Sequence, residues 1–430
     1  MAGMRNLNIA IAGCGIAGLA AALALTRQGH RTVLFERFET PRPIGSGLMI
    51  QPTGLSVLAA LRLAEQAVAH GAPVSRLYGL NAQGEKVLDA RYADLSVEHA
   101  FGLGIHRASL FGILWSAAQN TGVEIEVGRC INGSDHDGKT ARLNFDDGTQ
   151  SAAFDLIIDA SGTRSTLAPE CGQELPFGAL WTTLDWPEDG PFDPALLEQR
   201  YRMASEMVGV LPTGQTFGTN RRQLAFFWSL QADRHAAWRD AGLEGWKEEV
   251  RALWPQCEGL LEQITDSEQM VFARYAHRCV PRPVDGRLVH IGDAWHSASP
   301  QLGQGANMAL LDAWALSKAI GEGPNLSAAL GQFVQLRQRH VKLYQAVTAF
   351  FTPLYQSARA APAVLRDFLF APLSRVPPGP AIQARLMGGL AGAPLGKLGL
   401  QAPDFAALRK AVQAPASSST RARASSLAQS

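Results

Sequence analysis

The feature that most restricts what this chain can become is a glycine triplet, Gly13, Gly15 and Gly18, written GCGIAG between a short apolar run and an Ala/Leu-rich one. Asn8 to Ala12 reads as a buried strand, Ile16 to Gln28 as a helix, and Thr32 to Phe35 as a second strand that ends at Glu36. Together they form a βαβ unit whose first turn carries the glycines. Gly13 permits the tight turn, Gly15 lets backbone approach a pyrophosphate, and Gly18 allows helix and strand to pack closely. The helix N-terminus, at Ile16 and Ala17, then faces the phosphate charge. Glu36 accepts hydrogen bonds from a ribose hydroxyl pair and repels a 2′-phosphate, so the turn suits FAD or NAD rather than NADP. Cys14, inside the turn, reads as a small packing residue without redox chemistry. The glycine-rich stretch from Gly388 to Gly392 lacks the strand that a second fingerprint would need.

At 430 residues the chain exceeds the usual size of one core, which predicts two interlocked domains. Hydrophobic residues at 47% and charged residues at 18% exclude wholesale disorder. With 39 basic and 38 acidic residues the net charge is +1, which offers no field to steer nucleic acid or an anionic bilayer. Nucleic acid is not an expected partner, and strong membrane contact is not expected either. Five scattered cysteines, Cys14, Cys130, Cys171, Cys257 and Cys279, form no CxxC pair. Neither a disulfide framework nor a metal site is predicted, and a cytoplasmic setting fits. The apolar stretch from Leu7 to Leu25 is broken by the three glycines and reads as strand, turn and helix, not as a signal or membrane segment.

The expected class is α/β. A Rossmann-type domain over residues 1–175 and again over 276–340 is interwoven with a sheet-bearing substrate domain at 176–275, followed by C-terminal helices over 341–400 and a disordered tail at 412–430. Amphipathic helices are expected from Pro52 to Leu63 and from Arg107 to Asn120, an apolar helix from Gly305 to Ile320, and a long helical segment from Leu326 to about Tyr355. The inserted segment carries Trp181, Trp186, Phe226, Phe227 and Trp228, which are expected to roof a ligand face with an aromatic sheet. For any single one of these rings, a place in the domain's own core is the simpler reading.

From Gly286 to Ala313 the chain carries Gly292, Asp293, Ala294, His296, Pro300, Gly303, Gln304, Gly305 and Asn307 at the spacing GDAAHxxxPxxGQGxN. On these positions it resembles the para-hydroxybenzoate hydroxylase-like, group A flavoprotein monooxygenases, and the resemblance extends over most of the chain to about residue 340. The resemblance implies that Asp293 holds the ribityl chain of FAD. It also implies that the turn through Gly303, Gly305, Ala306 and Asn307 sets backbone amides against the flavin's pyrimidine edge, with Pro300 in the same cofactor-binding stretch. The stretch from Gly45 to Gly54, which includes Gly47, is similar to the family's GxGIxLxPNA sequence beside the flavin, with Thr53 where asparagine is common. Arg107, in the HRASL sequence, falls where the family uses an arginine for the cofactor. Ile131 borders the adenine by the same resemblance, and Arg37 is a weaker adenine-side candidate.

The implied activity is hydroxylation of an aromatic, quinoid or lipophilic organic substrate through a flavin hydroperoxide, with NADH or NADPH as electron donor and dioxygen as oxidant. The protein then mainly positions substrate and excludes water, and no side chain is assigned a catalytic role. The family's middle motif, GADGxxSxxR, stands here as DASGTRSTLA from Asp159 to Ala168, with Ser161 in place of Asp and Ala168 in place of Arg. That change brings direct reduction by NAD(P)H into question. The DASG form is similar to that of flavin-dependent halogenases, so a halogenase or oxidase fed with reduced flavin by a partner reductase stays open as a second reading. Against it, the WxWxIP signature is absent, and Lys86 in an expected hairpin reads as solvated. The region from Val347 to Gly392 is loosely similar to the C-terminal helices of ubiquinone-biosynthesis hydroxylases and is expected to be a packed helical lid.

Overall fold

The computed structural model describes residues 4–41, 45–216 and 221–413, so the tail expected from 412 lies outside the described residues from 414 onward. One layer is a six-stranded sheet in the order Val284–Asp285, Leu288–His290, Leu156–Asp159, Asn8–Ala12, Arg31–Phe35 and Glu124–Glu126. Every neighbouring pair but the first runs parallel. Parallel strands are covered on both faces, which is why Ile9 to Ala12 and Leu156 to Asp159 are unbroken buried runs. Helix Ile16–Arg27 is buried along Ala17 to Leu25, because its alanines let it lie close to the sheet and to helix Gly305–Glu322. Gly13 makes the turn at φ +99°, and a Cβ on Gly18 would stand 2.0 Å from the Gly13 carbonyl oxygen. Both glycines are therefore sterically required.

A second, seven-stranded sheet runs Val271–His277, Gln173–Asp185, Arg222–Gln231, Glu206–Gln215, Leu196–Arg202, Arg76–Asn81 and Lys86–Arg91. The segment 176–275 supplies most of it, but the last two strands form a hairpin from within 1–175. Arg76–Asn81 pairs in parallel with Leu196–Arg202 and so extends that edge. A hairpin's sequence specifies its own pairing and alternation, but not whose edge it will complete.

Strand alternation sorts the aromatic rings. Phe226 and Trp228 point with Leu180, Val208 and Val210 into a core closed by Trp246, Val250, Trp254 and Leu261, and Trp186 joins them. Trp181, Leu211, Ala225 and Phe227 turn the other way, to the first domain. The five rings therefore do not form one roof, because residues adjacent on a strand face opposite sides. The helix expected to be amphipathic from Pro52 to Leu63 ends at Ala60 and is buried from Pro52 through Leu58. It packs against helix Gly305–Glu322, which leaves its polar residues no water to face. Ser56 satisfies its hydroxyl on the Pro52 carbonyl at 2.8 Å.

The long helix Leu326–Tyr355 packs on Gly305–Glu322, and a buried charge network fastens the pair. Asp312 is fully buried and accepts from the Gly292 N–H at 2.9 Å, from His296 Nε2 at 2.7 Å and from Arg337 Nε at 2.7 Å. Arg337, also fully buried, donates through Nη1 to His340 Nδ1 at 2.9 Å, and His340 Nε2 donates to the Gly389 carbonyl at 3.1 Å. Those partners assign His340 the neutral tautomer. Burial works against the Asp312 carboxylate, but His296 and Arg337 outweigh it and hold its pKa down at about 2. Burial, reinforced by Arg337, pushes His340 down to about 3.

Both shifts weaken the fold in acid. A carboxylate with a depressed folded-state pKa stabilises the fold above its unfolded value, about 4, and loses that contribution as pH falls through the folded value. A histidine held neutral stabilises above its unfolded value, about 6.5, and that stability drains away as pH falls toward the depressed one. Unfolding free energy from urea titrations should therefore fall with pH below about 6.5, by about 1.4 kcal/mol per pH unit for each proton taken up only on unfolding. His340→Gln should flatten that limb, and a slope unchanged by the substitution would sink the assignment. Arg337→Met, which leaves Asp312 without its cation, should cost about 3–5 kcal/mol.

Candidate cofactor site

A cavity of about 380 Å³ opens beside the carboxyl ends of strands Asn8–Ala12, Arg31–Phe35 and Leu156–Asp159. In open parallel sheets this is where ligands bind. Its walls are the glycine turn, the residues after strand Arg31–Phe35, the corner at Arg129 to Ile131, the loop from Ala160 to Leu167, and Arg107, Asp293, Gly305 and Ala306. At one end Glu36 accepts the N–H groups of Cys14 at 3.0 Å and Phe38 at 3.1 Å, through separate oxygens. Each oxygen keeps a lone pair for a further donor. Cys14 itself is buried, and burial with the nearby Glu36 charge raises its thiol pKa, as a packing residue requires.

Gly15 has ordinary extended backbone, φ −86° and ψ −174°, so conformation does not demand glycine there. A Cβ at Gly15 would meet no protein atom within 4 Å. Only something that approaches the turn from the cavity makes the missing side chain matter. No side chain caps the helix that starts at Ile16, which leaves its first N–H groups available to an anion.

At the other end Arg107 and Asp293 line the cavity, and both are exposed to it. Burial lowers the Arg107 pKa, with Asp293 opposing, and arginine stays a cation even so. Burial raises the Asp293 pKa, with His296 and Arg107 pulling it back. Asp293 follows Gly292, whose left-handed φ of +58° and N–H bond to Asp312 tie this turn to the buried network. Arg107 opens helix Arg107–Asn120, capped by His106 Nδ1 accepting the Ala108 N–H at 3.1 Å. His106 Nε2 therefore carries the proton and donates to Thr183 Oγ1 at 3.0 Å. Burial, then the Arg107 charge, keeps its pKa below the ordinary histidine value.

Of the residues singled out from sequence, Gly13, Gly15, Ile16, Ala17, Glu36, Arg37, Arg107, Ile131, Asp293, Gly305 and Ala306 meet at this cavity. The others do not line it. Gly18 packs against the Gly13 carbonyl, and a Cβ on Gly47 would stand 2.5 Å from Thr213 Cγ2 and 2.7 Å from Ala225 Cβ. The Asn307 side chain is a clamp: it accepts the Gln51 N–H at 2.8 Å and donates to the carbonyls of Met49 at 3.1 Å and Gly303 at 2.9 Å. Pro300 opens a short turn that ends at Gly303 with φ +59°. Arg129, Phe38, Cys130, Arg164 and Thr166 also line the cavity and were not anticipated. Phe38, Arg129 and Cys130 follow strand ends where no spacing marks them, and Arg164 and Thr166 fall at open positions of the altered middle motif.

The altered middle motif has its own geometry. Asp159 is fully buried and accepts from Ser161 Oγ at 2.5 Å, Ser165 Oγ at 2.6 Å and His290 Nδ1 at 2.7 Å. Burial raises the pKa of such a carboxylate, but His290 and the two hydroxyls more than offset it, and the net shift is downward. The Asp159 carboxylate, at the motif's first position, is thus turned into the sheet, while Ser161, Gly162 and Arg164 face the cavity. Arg278 steadies this loop by donating to the carbonyls of Thr163 at 2.7 Å and Pro169 at 2.9 Å.

A glycine turn, a strand-end acid and a cavity at the carboxyl ends of parallel strands define a protein that binds an adenine dinucleotide cofactor. Residues 6–337 match the family described as FAD binding domain, and the chain belongs to it. It is 25% identical over 396 residues to 3-hydroxybenzoate 6-hydroxylase 1 of Aquipseudomonas alcaligenes, covering 85% of this chain and 93% of that one. It is 26% identical over 360 residues to 2-heptyl-3-hydroxy-4(1H)-quinolone synthase of Pseudomonas aeruginosa strain UCBPP-PA14, covering 78% of this chain and 86% of that one. The fold is shared with Klebsiella pneumoniae HpxO, solved with FAD and uric acid, at a TM-score of 0.75 and 20% identity over 88% of this chain and 97% of that one. The protein is an FAD-dependent monooxygenase acting on a small organic molecule, which sets aside the halogenase or oxidase reading.

The open space at Gly15 separates fold from cofactor binding. Gly15→Val should change the unfolding free energy of the flavin-stripped chain by no more than about 1 kcal/mol, the scale of an N-cap effect. FAD affinity, followed by quenching of flavin fluorescence, should drop at least about 100-fold, a loss of about 2.7 kcal/mol. Undiminished affinity would remove Gly15 from the cofactor wall.

Proposed function

We propose that the substrate is a planar aromatic ring, phenolic or quinoid, hydroxylated between the cofactor cavity and the inner face of the seven-stranded sheet. The observation that carries this reading is Trp181 stacked on its cross-strand partner Phe227, ring centroids 4.5 Å apart, on the face turned to the first domain. Ala225 lies two residues before Phe227 on that face and is where Gly47 makes its close approach. The ring pair is therefore one step along the strand, about 7 Å, from the wall beside the cofactor. Trp181 Nε1 donates to the Tyr275 hydroxyl at 3.0 Å, which sets the plane of the indole. The end of the long helix approaches the same region: Thr352 Oγ1 lies 2.6 Å from Ser299 Oγ, next to Pro300, and Gln356 Nε2 donates to the Gly178 carbonyl at 3.5 Å. Trp181 is the half-buried ring of the pair and offers a face for a ring substrate to stack on, and the relatives named for hydroxybenzoate and hydroxyquinolone chemistry support the same class.

Bound FAD supplies the activation of dioxygen and the transfer of one of its oxygen atoms. The chain's own residues bind, orient and shield. In this reading Glu36 takes the ribose hydroxyls, Gly13, Gly15 and the helix start at Ile16 and Ala17 take the pyrophosphate, and Arg37 and Ile131 flank the adenine. Asp293 takes the ribityl hydroxyls with Arg107 alongside, and Gly305 and Ala306 present backbone N–H groups that favour developing negative charge. Gly18 packs the helix onto the glycine turn, and Asn307 ties the backbone of Gly303, at the end of the turn opened by Pro300, to that of Met49 and Gln51, just after Gly47. NADH or NADPH serves as electron donor.

FAD-loaded protein, given NADH or NADPH, air and a panel of phenols, should consume nucleotide and oxygen together and yield product one oxygen atom heavier. If neither nucleotide bleaches the flavin, yet dithionite-reduced protein oxygenates the ring, the donor is a separate reductase. No oxygenated product by either route sinks the proposal. Trp181→Ala should raise KM about tenfold, equivalent to about 1.4 kcal/mol of stacking and burial, without changing flavin reduction in the absence of substrate.

A further inference from the structure

The helical run from Ala360 to Leu373, with a π-helical turn at Arg366–Phe370, is built inside out. Its buried side carries Ala363, Arg366 and Ala371, whereas Phe368 is 79% exposed, Leu373 57% and Val364 47%. Leu365, Leu369 and Val376 continue the exposed stripe. A helix facing water shows the reverse, charge outward and apolar side chains inward. Scattered exposed apolar residues are ordinary, but a continuous stripe marks a contact surface.

The buried cation pins the orientation. Arg366 Nε donates to Asp367 Oδ1 at 2.6 Å and Nη1 to the Leu354 carbonyl at 3.2 Å, and its guanidinium lies 5.0 Å from the Tyr201 ring and 5.4 Å from that of Tyr355. Rolling the stripe inward would break the contacts with Leu354, Tyr201 and Tyr355.

Charge indicates what covers the stripe. Between Gln356 and Leu390 the chain has four arginines, Arg359, Arg366, Arg375 and Arg385, against one acid, Asp367. Asp367 is engaged by Arg366 and by Asn81 Nδ2 at 3.4 Å, while Arg359, Arg375 and Arg385 are exposed. Arg375 also donates to the Lys86 carbonyl, which brings this segment to the hairpin edge of the second sheet. A second copy of the chain pairing face to face would bring the same cationic segment against itself. We infer that this face docks on an anionic lipid bilayer, with the apolar stripe entering the boundary between headgroups and acyl chains and the arginines meeting lipid phosphates. The net charge of +1 conceals the patch because it averages over the whole chain. Among the described residues no helix is long and apolar enough to cross a membrane; this one is fitted to lie on it. The docking does not depend on the ring-hydroxylation reading, and its test needs no substrate.

The test is co-sedimentation of the FAD-loaded full chain with vesicles. Binding is expected on phosphatidylglycerol/phosphatidylcholine vesicles and should be at least about fivefold weaker on phosphatidylcholine alone or in high salt. The double variant Phe368→Ser, Leu373→Ser should lower the bound fraction about tenfold, with flavin content and melting temperature unchanged. Arg359→Gln with Arg375→Gln should remove the preference for phosphatidylglycerol. The proposal is overturned by absence of binding to either vesicle, or by binding that the double serine variant retains. It is also overturned by a concentration-dependent dimer in analytical ultracentrifugation that the same variant abolishes, because the stripe would then belong to a second copy.

Discussion

One buried carboxylate holds the cofactor side of this molecule together. Asp312 lies in the middle of helix Gly305–Glu322 with no access to water, and an uncompensated charge there would cost several kcal/mol. The Gly292 N–H, His296 and Arg337 must all arrive at it together. That requirement sets the turn that carries Asp293, the alignment of two helices and, through His340 and Gly389, the seat of the C-terminal region. Asp293 owes its place in the cavity to its neighbour's bond with Asp312. His296, conspicuous inside the motif, belongs to this scaffold.

The seven-stranded sheet is a wall shared by two cores, and the phase of each strand decides which core receives which ring. Phe226 and Phe227 are chemically identical neighbours with opposite fates: one is sealed with Trp246 beneath helices, the other stacks on Trp181 facing the cofactor domain. A hairpin from the first part of the chain closes the sheet's edge and meets the C-terminal segment at Lys86. This wall is thus assembled from three distant stretches of chain, and the helical run after Tyr355 grows out of the same corner.

What could be read in advance was chemistry confined to short spacings. Gly13, Gly15, Gly18 and Glu36 lie within one βαβ unit, so strand, turn and helix periods were enough to place them. Arg107, Asp293, Gly305 and Ala306 were legible only through resemblance, and they do meet the glycine turn at one cavity. Asn307, Gly47, Gly303 and Pro300 do not line that cavity, and no motif separates the two groups, because lining and packing residues keep the same spacing. Arg129 is a lone arginine in a turn and carries no pattern, and Arg164, inside the DASGTRSTLA stretch, falls at a position that the family pattern leaves open. Replacement of Asp by Ser161 was evident, but its consequence was not: Ser161 donates to Asp159, and the carboxylate faces inward.

Local sequence determined the βαβ fingerprint, the preference for a cofactor without a 2′-phosphate, and the limits of the main helices, because backbone geometry and periodicity act over a few residues. Tertiary structure alone decided which sheet the hairpin Arg76–Arg91 would join, which aromatic rings would face the first domain, and that Arg366 would be buried while Phe368 faced outward. Those outcomes depend on edges, phases and buried charges brought together from opposite ends of the chain. No local propensity encodes a partner hundreds of residues away.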